Sequence, residues 1–510
     1  MVDKLLTFEE AVKKFDPTFG IEVHVELCTK TKMFCSAPNP AFENDKSLLE
    51  NPNTLTTPVS LGLPGALPVL NRQAVEYAIM LGLALNCKIA PRSVFSRKNY
   101  FYPDLSKDFQ TSQYDLPTCL DGYLDVELED GEVFRVEIER AHLEEDAGKN
   151  THVGGATGRI QGADHSLVDY NRAGVPLVEI VTRPVRGAGK RAPEVAAAYV
   201  KALRDIFKAL GISRAQMERG NVRADVNLSL AESGSQELGT RTETKNVNSF
   251  NAIKDAAIYE IRRQAAVLSS GGKVNQETRH WHEDSKTTSA GRPKSDADDY
   301  RYFPEPDLVP LDIDTQWVER VRKTLPELPA AKRKRLKEEY GFADLEMRDV
   351  INAGALDLIE ATVLAGSSPQ GARKWWMTQL ATFASENAIT LDEVADTKCT
   401  PEQVAALQKL IDAGDINDKI ARQVLEIVLN GEGDDPAKIV EEKGLKVVSD
   451  DGALVSVIQD AFKKMPKAKD DIAAGNLGAA GPIIGMVMKA TGGQADGKRV
   501  RELISEEAKK

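Results

Sequence analysis

Alternation with a period of two runs through the first 310 residues, in "GIEVHVEL" (20–27), "LDVELEDGEVFRVEIERAHLEED" (124–146) and "GNVRADVNLSLAE" (220–232). A strand sends successive side chains to opposite faces, so each stretch reads as a strand with one apolar and one polar face. In the first, Ile21, Val23, Val25 and Leu27 share one face, and Glu22, His24 and Glu26 share the other. Asp130-Gly131 sits between two alternating segments and predicts a hairpin. Helical spacing is interleaved, within 71–86, within 192–211 with a stop at Gly211, and within 249–273. Ser249 is the expected cap of the last of these, and Gly271–Gly272 its end. The pattern predicts an α+β domain on a mixed, largely antiparallel sheet, not βα alternation.

Near residue 304 the character changes. "YFPEPDLVPLDID" is proline-rich and extended, and nearly everything beyond it carries a helical period. "NGEGDDPAK" (430–438) has the composition of a linker. The expected organisation is an α+β domain over 1–306, a helical domain over 307–432 and a small helical tail over 433–510, and 510 residues are ample for that number of domains.

No run of eighteen apolar residues occurs, and the start lacks the apolar block of a signal peptide, so a soluble cytoplasmic protein is expected. Five cysteines, at 28, 35, 87, 119 and 399, make no disulfide framework. A net charge of −12 argues against sequence-blind nucleic-acid binding but leaves room for local patches. One such patch, residues 320–337, holds eight Lys/Arg against one Glu, a pattern that a solvated helix face also shows.

Dinucleotide and P-loop glycine patterns, C-x-x-C, H-E-x-x-H and the G-x-S-x-G elbow are all absent. What remains is carboxylate in polar and aromatic surroundings. "HLEEDAGK" places His142, Glu144, Glu145 and Asp146 together, which suits either a cation site or a solvated acidic turn. "RADVNLSL" and "RTETKNVNSF" each embed one acid, Asp225 and Glu243, in strand-like polar sequence. "SRKNYFYPD" joins Arg97 and Lys98 to three aromatics, as a phosphate or base contact would, or an aromatic corner of the core. Several carboxylates around a cation suit phosphoryl transfer or metal-assisted hydrolysis, with Mg2+ favoured by oxygen ligands and Mn2+ admitted by a histidine.

These motifs together resemble the GatB family, the B subunits of bacterial aspartyl/glutamyl-tRNA amidotransferases. The most specific run is "VDYNRAGVPLVEI" (168–180), and the others are "GIEVHVEL", "SRKNYFYPDLSKDFQTSQYDLP", "HLEEDAGK", "TKNVNSFNAI", "QETRHWHED" and "SDADDYRYFPEPDLVPL". The resemblance spans essentially the whole chain. It implies a cradle-like catalytic domain followed by helical, tRNA-recognising portions, so 320–337 and the tail become expected RNA contacts. The implied activity is ATP-dependent phosphorylation of the side-chain carboxylate of Glu-tRNA(Gln) or Asp-tRNA(Asn), then amidation with ammonia. That ammonia comes from a partner amidase, the A subunit, and a small C subunit completes a heterotrimer. A tRNA-binding scaffold of the same complex, with the chemistry elsewhere, is the alternative.

By motif position the resemblance implies metal ligation by Glu22, His24, Glu145 and Glu243, with Glu144 and Asp225 as alternate or supporting groups. Lys98 and Arg172, with Asp225, are the expected catalytic contacts, and Glu26 is left as the wet end of its row. The adenine-binding residues are not legible. Family members with a four-cysteine zinc site read "FCSC" and "CPVCLGLPG" where this chain reads "FCSAP" and "TTPVSLGLPG". Cys35 remains but Ala37, Thr57 and Ser60 replace the rest, so no structural zinc is expected.

Overall fold

The computed structural model describes all residues except 1–4, 43–48, 155–161, 218–219, 294–299 and 448–450, so the start of the "SDADDYRYFP" motif lies outside the described residues. The chain forms two compact units, Met1–Ala331 and Lys332–Lys510.

The first unit is an α+β domain on a twelve-stranded sheet. Its centre runs in the order Val222–Glu232, Phe15–Glu26, Pro176–Thr182 and Val133–Glu145, each antiparallel to the next. Thr242–Val247, Glu277–His282 and Thr287–Pro293 extend one side, with the first two of these parallel. Phe109–Gln113, Phe95–Asn99 and Phe303–Pro304 extend the other. The expected hairpin joins Cys119–Glu127 to Val133–Glu145, and Gly131 at its turn takes φ +87°, a value open to glycine at little cost.

Alternation decides the layers. Ile21, Val23 and Val25 are 0–1% exposed and face the helices Arg72–Ala84 and Ala192–Leu210 in the main core, leaving Glu22 and His24 on the opposite face. Asn71 caps the first helix, and Gly211 ends the second in the left-handed conformation. Ser249 Oγ accepts from Ala252 N–H at the start of Phe250–Ser269, as expected. The loop that replaces the four-cysteine pattern is held by hydrogen bonds. Thr57 N–H donates to Ser60 Oγ at 2.8 Å, Ser106 Oγ to the Ser60 carbonyl at 2.7 Å, and Lys32 N–H to the Ala37 carbonyl at 3.0 Å.

The first unit extends past the expected boundary at 306, because Leu308, Leu311, Trp317, Val318, Leu325 and Leu328 pack against its main core. The second unit is helical and holds two apolar clusters, one from Leu336 to Val440 and one from Leu454 to Ala508. Ile439 and Val440 belong to the first cluster, so the Gly/Asp/Pro segment at 430–438 is a turn within one core and not a boundary between two. At its centre Trp375 and Trp376 are fully buried, and their indole N–H groups donate to Gln408 and Thr362, both at 2.8 Å. Among the described residues no helix is long and apolar enough to cross a membrane.

Candidate active site

The polar face of the Phe15–Glu26 strand is where carboxylates from distant parts of the chain meet. Antiparallel register sets His24 opposite Glu179 on one neighbour and opposite Arg223 on the other. Glu179 lies in turn opposite His142, and Glu144 follows on the same face two residues on. His24 Nε2 is 3.6 Å from Glu144 and 3.9 Å from Glu179, and His142 Nε2 is 3.1 Å from Glu179. One donor atom from each of His24, Glu144 and Glu179 falls within 4.8 Å of the others. An imidazole with two carboxylates is a donor set for Mg2+ or Mn2+. Burial works against the Glu179 charge, but His142, His24 and Lys98 outweigh it and hold its carboxyl well below the usual range.

A second group lies beside the first. Glu22 is opposite Asp225, and the donor atoms of Glu22, Asp225 and Glu243 also fall within 4.8 Å. A register shift against Val222–Glu232 gives the Thr242–Val247 strand one extra residue, where Asn246 takes φ +68°. Lys245 projects into this group, 2.6 Å from Asp225 and 3.5 Å from Glu243. Burial opposes its charge, yet Asp225 and Glu243 raise its ammonium above the ordinary lysine range. Asn227 donates to Glu22 at 3.0 Å and Thr278 to Glu243 at 3.0 Å.

At the far end of the same strand, two guanidiniums converge on one carboxylate. Arg172 is 2.6 Å and Arg223 3.0 Å from Asp146, and Arg172 Nε also donates to Glu26 at 2.8 Å. The "VDYNRAGVP" run explains how Arg172 arrives there. Asp169 and Asn171 accept from the backbone N–H groups of Asn53 and Leu55, pinning the loop, and Gly174 turns at φ +84° while its N–H donates to the Asp146 carbonyl. Glu26 is 8% exposed and also accepts from Asn221 at 2.8 Å. It is a buried, bound carboxylate, and the expectation of a wet end is corrected.

The expected metal ligands are thus divided. Glu22 and Glu243 meet each other and Asp225, whereas His24 joins Glu144 and Glu179. Glu145 lies in neither group: its carboxylate pairs with the Lys107 ammonium and accepts from Thr111 N–H at 3.0 Å. Lys98 lies over the rings of Tyr300 (4.9 Å to the centroid) and Tyr100 (5.8 Å). Burial opposes its charge, and Tyr302, Glu144 and Glu179 more than compensate. Sequence reading does not single out Glu179, Lys245 or Arg223, and gives His142 no role of its own. Glu179 has a signal, being one acid in the apolar run "PLVEIVT". The others differ from ordinary surface residues only through the register that assembles them.

In the helical unit, Lys332 pairs with Asp357 at 2.7 Å, Arg335 with Glu360 at 2.6 Å, and Lys337 with Asp344. Part of the basic run is therefore neutralised by neighbouring helices.

Residues 17–319 match the family described as the GatB/GatE catalytic domain, and residues 357–507 match one described as the GatB domain. A protein of Paenarthrobacter aurescens (strain TC1), named as the B subunit of an aspartyl/glutamyl-tRNA(Asn/Gln) amidotransferase, is 61% identical over 99% of this chain and 98% of its own length. Proteins of the same name from Bifidobacterium animalis subsp. lactis and Streptomyces coelicolor are 58% and 57% identical, covering 100% and 98% of this chain and 100% and 97% of themselves.

Proposed function

The chain belongs to the GatB/GatE family, and from that premise we propose that it is the B subunit of a tRNA-dependent amidotransferase, using ATP to activate a side-chain carboxylate for amidation. The substrate is Glu-tRNA(Gln) or Asp-tRNA(Asn), and the partners are an amidase that releases ammonia from glutamine and a small third protein. The observation that carries the reading is the convergence of His24, Glu144 and Glu179 from three strands onto one point of the polar face.

A carboxylate resists attack by ammonia because its charge and resonance make the carbon a poor electrophile. One of its oxygens instead attacks the terminal phosphorus of ATP, the bond to ADP breaks, and an acyl phosphate forms. Ammonia then bonds to the acyl carbon, phosphate departs with the carbon–oxygen electron pair, and nitrogen loses a proton to phosphate or water. Both reactants of the first step are anions. In this reading Lys98, Arg172 and Arg223 are the side chains that meet them, and their charge assists approach. His24, Glu144 and Glu179 would hold a divalent cation, with Glu22, Asp225 and Glu243 as a second acidic group beside them. Such a cation, Mg2+ or Mn2+, neutralises charge on a transferring phosphoryl group. His142 orients Glu179, and Asp146 holds both guanidiniums.

The test is the reconstituted complex supplied with ammonium chloride, which bypasses the amidase. Glu144→Gln should abolish ATP-dependent formation of the amidated aminoacyl-tRNA. Undiminished product would make this chain the non-catalytic scaffold for tRNA.

A further inference from the structure

Beside His24, Glu144 and Glu179 the chain builds a group of four tyrosines, none of which belongs to an apolar core among the described residues. Tyr114 and Tyr302 are parallel, with centroids 4.3 Å apart and planes 7° from coincidence. Tyr300 meets Tyr302 edge-on at 6.2 Å and Tyr100 edge-on at 6.0 Å. The Lys98 ammonium lies over Tyr300 and Tyr100 and feels Glu144 and Glu179, which joins the aromatic group to the triad. One ring face of Tyr114 is covered by Tyr302, yet the residue is 47% exposed. Among the described residues no second ring and no cation lies against Tyr114, so a further ring has only its uncovered side to meet. A phenol left open on one face and backed by a parallel ring is a surface prepared for another flat ring.

We propose that the open face of Tyr114 stacks the 3′-terminal adenine of the aminoacyl-tRNA. The inference rests on the carboxylate-activating role given above. The amino acid is esterified to the terminal nucleotide, so a site acting on its side chain must have that nucleotide's base close by. The base is unpaired, and proteins hold unpaired RNA bases by stacking them on aromatic side chains. Tyr302 supports Tyr114 from behind, and Lys98 ties the platform to the reacting end.

The test uses the reconstituted complex, with Tyr114→Ala and Tyr114→Trp. Tyr114→Ala is expected to raise KM for misacylated tRNA by roughly five- to a hundredfold, with kcat and KM for ATP within twofold, and Tyr114→Trp to restore the wild-type value. A tRNA ending in 2-aminopurine should lose fluorescence on binding the wild type and keep it on binding Tyr114→Ala. A rise in KM for ATP alone would assign the platform to the nucleotide's adenine and overturn the proposal, as would unchanged KM values with equal quenching in both proteins. Failure of the underlying role shows separately: Glu144→Gln would keep its activity, while the 2-aminopurine comparison still reports on the platform.

Discussion

The His24–Glu144–Glu179 group and the Glu22–Asp225–Glu243 group share one face of one sheet, two residues apart along the same strand, yet their charges are balanced differently. In the second, three carboxylates surround the Lys245 ammonium, so the chain brings its own cation. In the first, two carboxylates face two imidazoles, which carry charge only when protonated. Both carboxylates also feel the Lys98 ammonium, which lies over Tyr300 and Tyr100 and makes no ion pair at hydrogen-bond distance with either carboxylate. Like charges this close repel strongly in a partly buried setting, so each group needs compensation. Acid count alone therefore does not rank the two. In the proposed reading, the group whose carboxylates are not already ion-paired to a lysine is the one that takes an external cation.

Removing a carboxylate from each group is the most direct way to break that comparison. With ammonium as nitrogen donor, Glu179→Gln is expected to lower the amidation rate by ~10^3-fold, a size typical of losing one preorganised electrostatic contact. Glu243→Gln, whose neighbours Asp225 and Lys245 still pair, should cost on the order of tenfold. Equal losses, measured as kcat on misacylated tRNA, would erase the distinction between the groups.

Glu145 sharpens the contrast from the other face of the sheet. It follows Glu144 directly in sequence, but its buried carboxylate serves Lys107 and Thr111. Glu145→Gln leaves that ammonium without its counter-ion and is expected to cost about 3 kcal/mol of stability, as breaking a buried pair does. Amidation measured well below the unfolding temperature should stay within threefold. A loss as deep as that of Glu179→Gln, with the unfolding midpoint unmoved, would return Glu145 to the reaction.

Much of this is readable from sequence because alternation is local. It sets the apolar and polar faces of 20–27 and brackets the hairpin at Asp130-Gly131, while helical spacing and residue identity set the caps at Ser249 and Gly211, each of which depends on a few adjacent residues. The partners of His24 depend on register between strands more than a hundred residues apart, which no local pattern encodes. Glu144 and Glu145 show the cost: they are adjacent in the strand, so they face opposite sides, and motif position alone does not say which one meets His24. Glu26 is misread for a related reason. Its exposure is decided by Arg172 and Asn221, which arrive from two other segments.

If Lys245 stands in for a cation, removing it should open the position to one. Lys245→Met removes the ammonium while keeping much of the side-chain volume, leaving three carboxylates unbalanced. Mn2+ titration followed by electron paramagnetic resonance should then show about tenfold tighter binding at a second site, equivalent to ~1.4 kcal/mol. The affinity at the histidine group should stay as in the wild type. Identical binding curves for the two proteins would mean that Lys245 does not compete for the position.

Asp146 gives a third form of compensation, two guanidiniums on one buried carboxylate, and the smallest expected effect. Burial pushes its carboxyl up, but Arg223 and Arg172 outweigh burial and hold it below the usual range. A carboxyl lowered in the folded state adds stability that is present above its unfolded value of about 3.9 and is lost as pH falls through the folded value. Arg223→Ala removes one of the two guanidiniums, raises the folded value and narrows that window. The acid-unfolding midpoint, followed by far-ultraviolet circular dichroism, should therefore move to higher pH, and Arg223→Lys should move it less because a cation remains. If Arg223→Ala unfolds at the same pH as the wild type, Arg172 alone suffices for Asp146, and the Arg223 guanidinium has no structural charge to balance there.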